Sequence, residues 1–161
     1  MQRRLIFLTH HFDDIDRIFH KCFSEVMLSV EPLYSRRLVS YLNFRRDLAS
    51  QRVAYDSGGF AFLIGRIKEP PDPKRTCAIY KTLGYTDRDF LIQLDVPPLY
   101  HASREERLRA IQLSAKYYWV MAEELRSPNL LPVVHGWDRE ELELSLALVQ
   151  DPDRLALGGN L

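Results

Sequence analysis

Apolar positions in this chain come in short runs that alternate with stretches of helical period from Arg52 onward. Arg52-Val53-Ala54-Tyr55-Asp56 predicts a strand that runs into a Ser57-Gly58-Gly59 turn. Asp72-Pro73 supplies an N-cap with proline at the first helical position, and Gly84 stands where a C-terminal cap belongs, so a helix of about three turns is predicted between them. Phe90 to Val96 reads as a second strand, stopped by Pro97-Pro98 because proline has no N–H to give a ladder. Ser103 with Glu106 forms a capping box, and the helix behind it places Leu108, Ile111, Ala115, Tyr118, Trp119, Ala122 and Leu125 on one stripe. Asn129 to Gly136 predicts a third strand. Asp138 with Glu141 then starts a helix that carries Leu142, Leu146 and Val149 inward. A fourth strand is predicted over 153–161, and Glu25 to Val30 adds another upstream, with a helical connection over 33–49. Five strands alternating with helices predict an α/β fold around a parallel sheet.

Composition narrows the function classes. The 161 residues, 46% apolar and 27% charged, suit one globular domain spanning 1–161. Twenty-two basic and twenty-two acidic residues cancel, which excludes the bulk positive field of a dedicated nucleic-acid binder and leaves only local contacts. The basic bias is N-terminal: residues 1–52 hold nine Lys/Arg against six Asp/Glu, and residues 103–161 hold seven against ten. Arg36, Arg37, Arg45, Arg46 and Arg52 supply most of it, either as a phosphate-holding patch or as a solvated helix face. Two cysteines, Cys22 and Cys77, are too few for a disulfide scaffold and suit a reducing, cytoplasmic compartment. The N-terminal apolar run, Leu5 to Leu8, is too short for a secretion signal, and no stretch approaches the roughly 20 residues of a membrane span. His10-His11 with Asp13 and Asp14 resembles a ligand set in composition only; adjacent histidines followed by acids are usually solvated, so no metal site is expected.

The glycines locate the chemistry. Of seven in the chain, Gly58, Gly59, Gly136, Gly158 and Gly159 fall just past the ends of predicted strands. Parallel α/β folds place their sites outside the carboxyl ends of strands, where glycine lets a ligand approach the backbone. Asp56, Asp95 and His135 belong to the same edge, so two carboxylates and an imidazole are expected to converge on one mouth. Singly, each has a plainer reading, with aspartate capping a turn and glycine permitting a tight loop. Ser57 lacks the glycine two residues earlier that a nucleophile elbow uses, which argues against a hydrolase.

Asp56-Ser57-Gly58-Gly59-Phe60, Gln93-Leu94-Asp95-Val96-Pro97, Val134-His135-Gly136 and Ala156-Leu157-Gly158-Gly159 resemble, in order and context, the tRNA-guanine transglycosylase family. The Leu-Asp-Val-Pro run is more like the archaeal and 7-deazaguanine DNA transglycosylase branches. The resemblance covers 52–161; residues 1–51 match only as a first strand and helix. It implies a partial (β/α)₈ TIM-type barrel and a pentosyltransferase that exchanges guanine for a 7-deazaguanine in tRNA or DNA. It implies proton transfer at the reacting base for Asp56, and a carboxylate for the guanine N1 and N2 edge in Asp95. It also implies base contacts for Ser57, Gly58, Gly59, Phe60, His135, Gly136, Gly158 and Gly159. An acceptor-only carboxylate suits two N–H donors, and the chemistry parallels that of retaining glycosidases acting on a base taken out of its stack.

Three departures follow from the same comparison. Ala61 stands after Phe60 where the tRNA enzymes have glutamine, and His135 replaces a glutamine that reads O6. The family's nucleophilic aspartate and its Cys₃His zinc site lie beyond the Gly-Gly strand, where this chain has its last residue, Leu161. The expectation is therefore a barrel segment with the base-binding half of the site and no cofactor of its own. It would be a truncated product, a split subunit or one half of an assembly completed by a companion chain or a second copy, since a closed barrel takes about 250 residues. Two other classes stay open: a non-catalytic purine- or nucleic-acid-binding subunit, and an unrelated α/β barrel enzyme that binds phosphate on its glycine turns.

Overall fold

The computed structural model of the chain describes residues 9–10, 25–34 and 51–158. The elements, in order, are β1 (Thr9–His10), β2 (Glu25–Ser29), α1 (Glu31–Tyr34), β3 (Arg52–Asp56), α2 (Gly59–Leu63), α3 (Pro73–Leu83), β4 (Phe90–Ile92), α4 (Arg104–Leu125), β5 (Leu130–Leu131), β6 (Val133–Val134), α5 (Arg139–Leu148) and β7 (Ala156–Leu157). Strands β1 to β5 form one sheet in sequential order, every pairing parallel, and β6 pairs with β7, also parallel. The α/β class with a parallel sheet is as the sequence predicts.

Local signals explain most boundaries. Asp72 accepts from the Lys74 N–H at 2.9 Å with Pro73 behind it, and Gly84, at φ 64°, ends α3 in the left-handed conformation that glycine adopts without strain. Ser103 and Glu106 make the reciprocal capping box at the head of α4. Asp138 accepts from the Glu141 N–H at 2.9 Å and starts α5.

The strands are shorter than predicted, because side chains take over backbone donors that the ladder would have used. Beyond Ile92, the Leu94 N–H meets the Met121 sulfur at 3.1 Å and the Val96 N–H donates to Ser114 Oγ at 2.7 Å. The predicted third strand is split at Pro132, which has no N–H. Gln93, fully buried, repairs the gap: its Oε1 accepts from Val133 N at 3.0 Å and its Nε2 donates to Ser114 O at 2.9 Å. The segment 130–134 still joins the two ladders, since Gln93 N donates to Leu131 O while Ala156 N and Gly158 N donate to Pro132 O and Val134 O. The predicted last strand is ordered as a ladder only at Ala156–Leu157, and 159–161 lie outside the described residues. Thr9–His10 is a strand segment that the five predicted strands did not include.

One face of the sheet carries the main core. Val53, Tyr55 and Leu91 are fully buried there with Val26 and Leu28, packed with Cys77, Tyr80 and Leu83 of α3 and Met121 and Leu125 of α4. The Tyr80 hydroxyl reaches through this layer to Tyr55 O at 3.0 Å and Ile92 O at 2.6 Å, bracing β3 to β4. Asp89, buried at the opposite end, caps the start of β3 by accepting from Val53 N at 2.9 Å. Two predicted inward positions face outward: Trp119 is 42% exposed with its indole N–H on Leu148 O, and Leu142 is 37% exposed. Ser114 and Met121 occupy the buried stripe of α4 instead, because that face must meet the backbone of 94–96 as well as apolar side chains.

Candidate functional site

Sequential strand order sets the residues that follow the strands in a row. Ser29 ends β2 and is in register with Asp56, which ends β3. Asp95 follows β4, His135 follows β6, and Gly158 follows β7. These side chains interact in that order. Ser29 hydrogen-bonds the Asp56 carboxylate, which also accepts from the Gly58 N–H. Asp95 lies close enough for its charge to act on Asp56, and its Oδ2 is 2.8 Å from His135 Nε2. A carboxylate accepts only, so Nε2 carries the hydrogen of that bond.

Burial and a like charge set the electrostatics. Burial, then the neighbouring Asp95 charge, pushes the Asp56 carboxyl up to about 6, against the smaller opposing effect of the Ser29 and Gly58 hydrogen bonds. A carboxyl in that range can hold or release a proton near neutrality. His135 is 1% exposed and the Asp95 side chain 14%. His135 Nδ1 has no hydrogen-bond partner, and neither has the buried Ser57 Oγ.

Glycine is required at this edge by the packing of the site's own residues. At Gly59 a Cβ would overlap Asp95 Oδ1 and lie 2.8 Å from Asp95 O; at Gly158 it would overlap the His135 ring. At Gly136 it would lie 2.6 Å from Leu142 N. What presses on these backbones is the site's own acid and imidazole, and the first turn of α5. Gly58 is also left-handed, at φ 77°, with Glu31 beside it. Phe60 is 46% exposed next to Gly59, while Ser57 is wholly buried. Gly159 lies outside the described residues.

A second layer fixes the row, and the sequence reading did not find it. Ser145 Oγ accepts from His135 N at 3.2 Å, and the fully buried Glu141 accepts from Trp137 N at 2.9 Å. Arg107 meets the same Glu141 carboxylate at 2.8 Å and donates to Ala102 O at 3.0 Å. The Trp137 indole N–H donates to Pro98 O at 2.9 Å, joining the loop that bears His135 to the loop that bears Asp95. Glu141 carried a signal, since an acid three residues after Asp138 invites a capping role, but its partner cation, Arg107, is far away in sequence.

No protein-family model and no curated protein matches this chain. The remaining expectations are placed by the structure alone. Of the basic patch, Arg52 pairs with Glu25 at 3.3 Å and lies over the Phe90 ring, and Arg36, Arg37, Arg45 and Arg46 lie outside the described residues. Cys77 is buried, with its thiol pushed up to about 12 by burial, and Cys22 lies outside the described residues. Among the described residues no cluster of three or more His, Cys, Asp or Glu is placed to hold a metal ion. No helix among them is long and apolar enough to cross a membrane.

Proposed function

We propose that this edge is the base-binding part of a nucleobase transglycosylase-type enzyme acting on guanine or a 7-deazaguanine in tRNA or DNA. One observation carries the reading: a carboxylate, Asp95, is clamped between Gly59 and His135 beside a second carboxyl, Asp56, whose proton affinity is raised into the working range. In this reading the strands belong to a (β/α)₈ barrel. Sequential parallel order supports it, because right-handed crossovers then put every helix on one side of the sheet. Asp95 takes the N–H donors of a guanine edge and Asp56 handles the proton that the departing base requires. A purine anion is a poor leaving group until it is protonated or hydrogen-bonded. Phe60, exposed at the same edge, offers a stacking surface for the flipped base.

Calorimetry with guanine and 7-deazaguanine tests the reading. Asp95→Asn keeps the shape but replaces one acceptor by a donor, and is expected to lose about one to two decades of affinity, the worth of a charge-assisted hydrogen bond. His135→Gln is expected to cost much less near neutral pH. Equal binding by the Asp95 variant and the parent would overturn the assignment.

A further inference from the structure

Two aromatic rings stand at the same edge without joining the row of acids and imidazole. Tyr100, in the loop after β4, is 71% exposed, and its ring centroid lies 5.0 Å from that of half-buried Trp137, in the loop after β6, with the planes tilted by 57°. One exposed ring on a surface is ordinary, but this one is propped. The Trp137 indole N–H is held by Pro98 O at 2.9 Å and its backbone N–H by the buried Glu141. Arg107 ties that carboxylate to Ala102 O, and Arg104 reaches Glu140 between the same two segments. These contacts fix the two loops against each other and leave the tyrosine face unspent. The platform also adjoins the site. Tyr100 follows Asp95 by five residues on one loop, and Trp137 follows His135 by two, which limits their Cα separation to about 7 Å.

We propose that Tyr100, propped by Trp137, stacks a nucleobase adjoining the target guanine in a single strand, so that the site selects a polynucleotide over the free base. The inference rests on the purine reading above and names what that reading leaves open, the part of the substrate beyond the reacting base. A nucleobase is apolar on its faces and polar at its rim. The surroundings match it: His101, Ser103, Asp138 and Arg139, beside the two rings in sequence, are exposed and polar or charged, which suits a flat heterocycle better than the apolar side chains of a protein partner. A base taken out of its stack also leaves its neighbour with a bare face, and an aromatic ring replaces that lost contact. Because the rings are already fixed by the loop contacts, little order has to be gained when the strand binds.

The test uses the whole chain, free guanine, and short single strands of RNA and of DNA that carry one central guanine. The chain has two tryptophans, so Trp119→Phe leaves Trp137 as its sole fluorophore of that kind, and the bound strand is expected to quench it. Tyr100→Ala is expected to weaken strand binding about tenfold to a hundredfold, the worth of one base stacked on an aromatic ring, with binding of free guanine unchanged. Tyr100→Phe, which keeps the ring, is expected to bind the strand like the parent. Strands with abasic residues on both sides of the guanine are expected to bind the parent as weakly as the intact strand binds Tyr100→Ala, and that substitution is expected to cost nothing further against them. If Tyr100→Ala binds the intact strand as well as the parent does, or if abasic flanks cost nothing, the platform is overturned while guanine binding still supports the purine reading. If the parent binds neither guanine nor the strands, the purine reading itself fails and the platform goes with it.

Discussion

Asp56→Asn is expected to make the protein more stable at pH 8 and not at pH 5. Folding moves this carboxyl from about 3.8 to about 6, chiefly by burial and then by the Asp95 charge. The sign follows from linkage: the folded state holds the proton more tightly, so the resulting stabilisation is fully present below about pH 3.8 and is lost as pH rises through about 6. At pH 8 the ionised form therefore weighs against folding by up to about 3 kcal/mol, at roughly 1.4 kcal/mol per pKa unit. Two corrections reduce that figure. Asp56 keeps some contact with solvent, and a neutral amide weakens the Ser29 and Gly58 hydrogen bonds by removing their charge assistance, at about 1 kcal/mol each at most. A net gain of about 1 to 2 kcal/mol remains, or roughly 3 to 6 °C in Tm for a chain of this size. Urea denaturation of both proteins at a series of pH values isolates the effect, because the other carboxylates cancel in the difference. If the variant is no more stable at pH 8, or if its advantage persists at pH 5, the carboxyl is not under the burial and charge pressure described here. A destabilising group kept at a strand end is what a site trading stability for chemistry contains.

Gly59→Ala is expected to displace Asp95, whose Oδ1 its Cβ would overlap, and so to abolish base binding while leaving the helical circular dichroism signal unchanged. Arg107→Ala strands the buried Glu141 charge and is expected to cost about 3 to 5 kcal/mol by urea denaturation, with partial recovery when Glu141→Gln removes that charge. Tyr80→Phe leaves the Tyr55 and Ile92 carbonyls without their shared hydroxyl donor and is expected to cost roughly 1 to 2 kcal/mol, read in the same assay.

Local rules with a short reach were legible. The strand over Arg52–Asp56 and the caps at Asp72, Gly84, Ser103 and Asp138 depend on neighbours a few residues apart, and Asp56, Asp95 and His135 share one edge because each ends or follows a parallel strand. What escaped depends on partners brought together from afar. Gln93 looks like one more strand residue until the break at Pro132 leaves the Val133 N–H for its side-chain oxygen to accept. Ser29 looks like a strand end until its register with Asp56 is known. Trp119 fits the helical stripe, yet the face it was assigned to is occupied at Met121 and Ser114 by contacts with the 94–96 backbone. That the acid comes close to Gly59 and the ring to Gly158 is something only packing shows.

The order of strands in the sheet has a consequence for the chain during its synthesis. Each strand from β2 to β5 pairs with the one made just before it, so a chain emerging N-terminus first can add strands to a growing edge without waiting for a distant partner. The site is then assembled in instalments. The Ser29–Asp56 contact closes first, Asp95 arrives with the next unit, and His135 comes after it. The ring gains its seat only when the segment carrying Gly158 docks. A nascent chain therefore holds its two carboxylates side by side before the imidazole is in place.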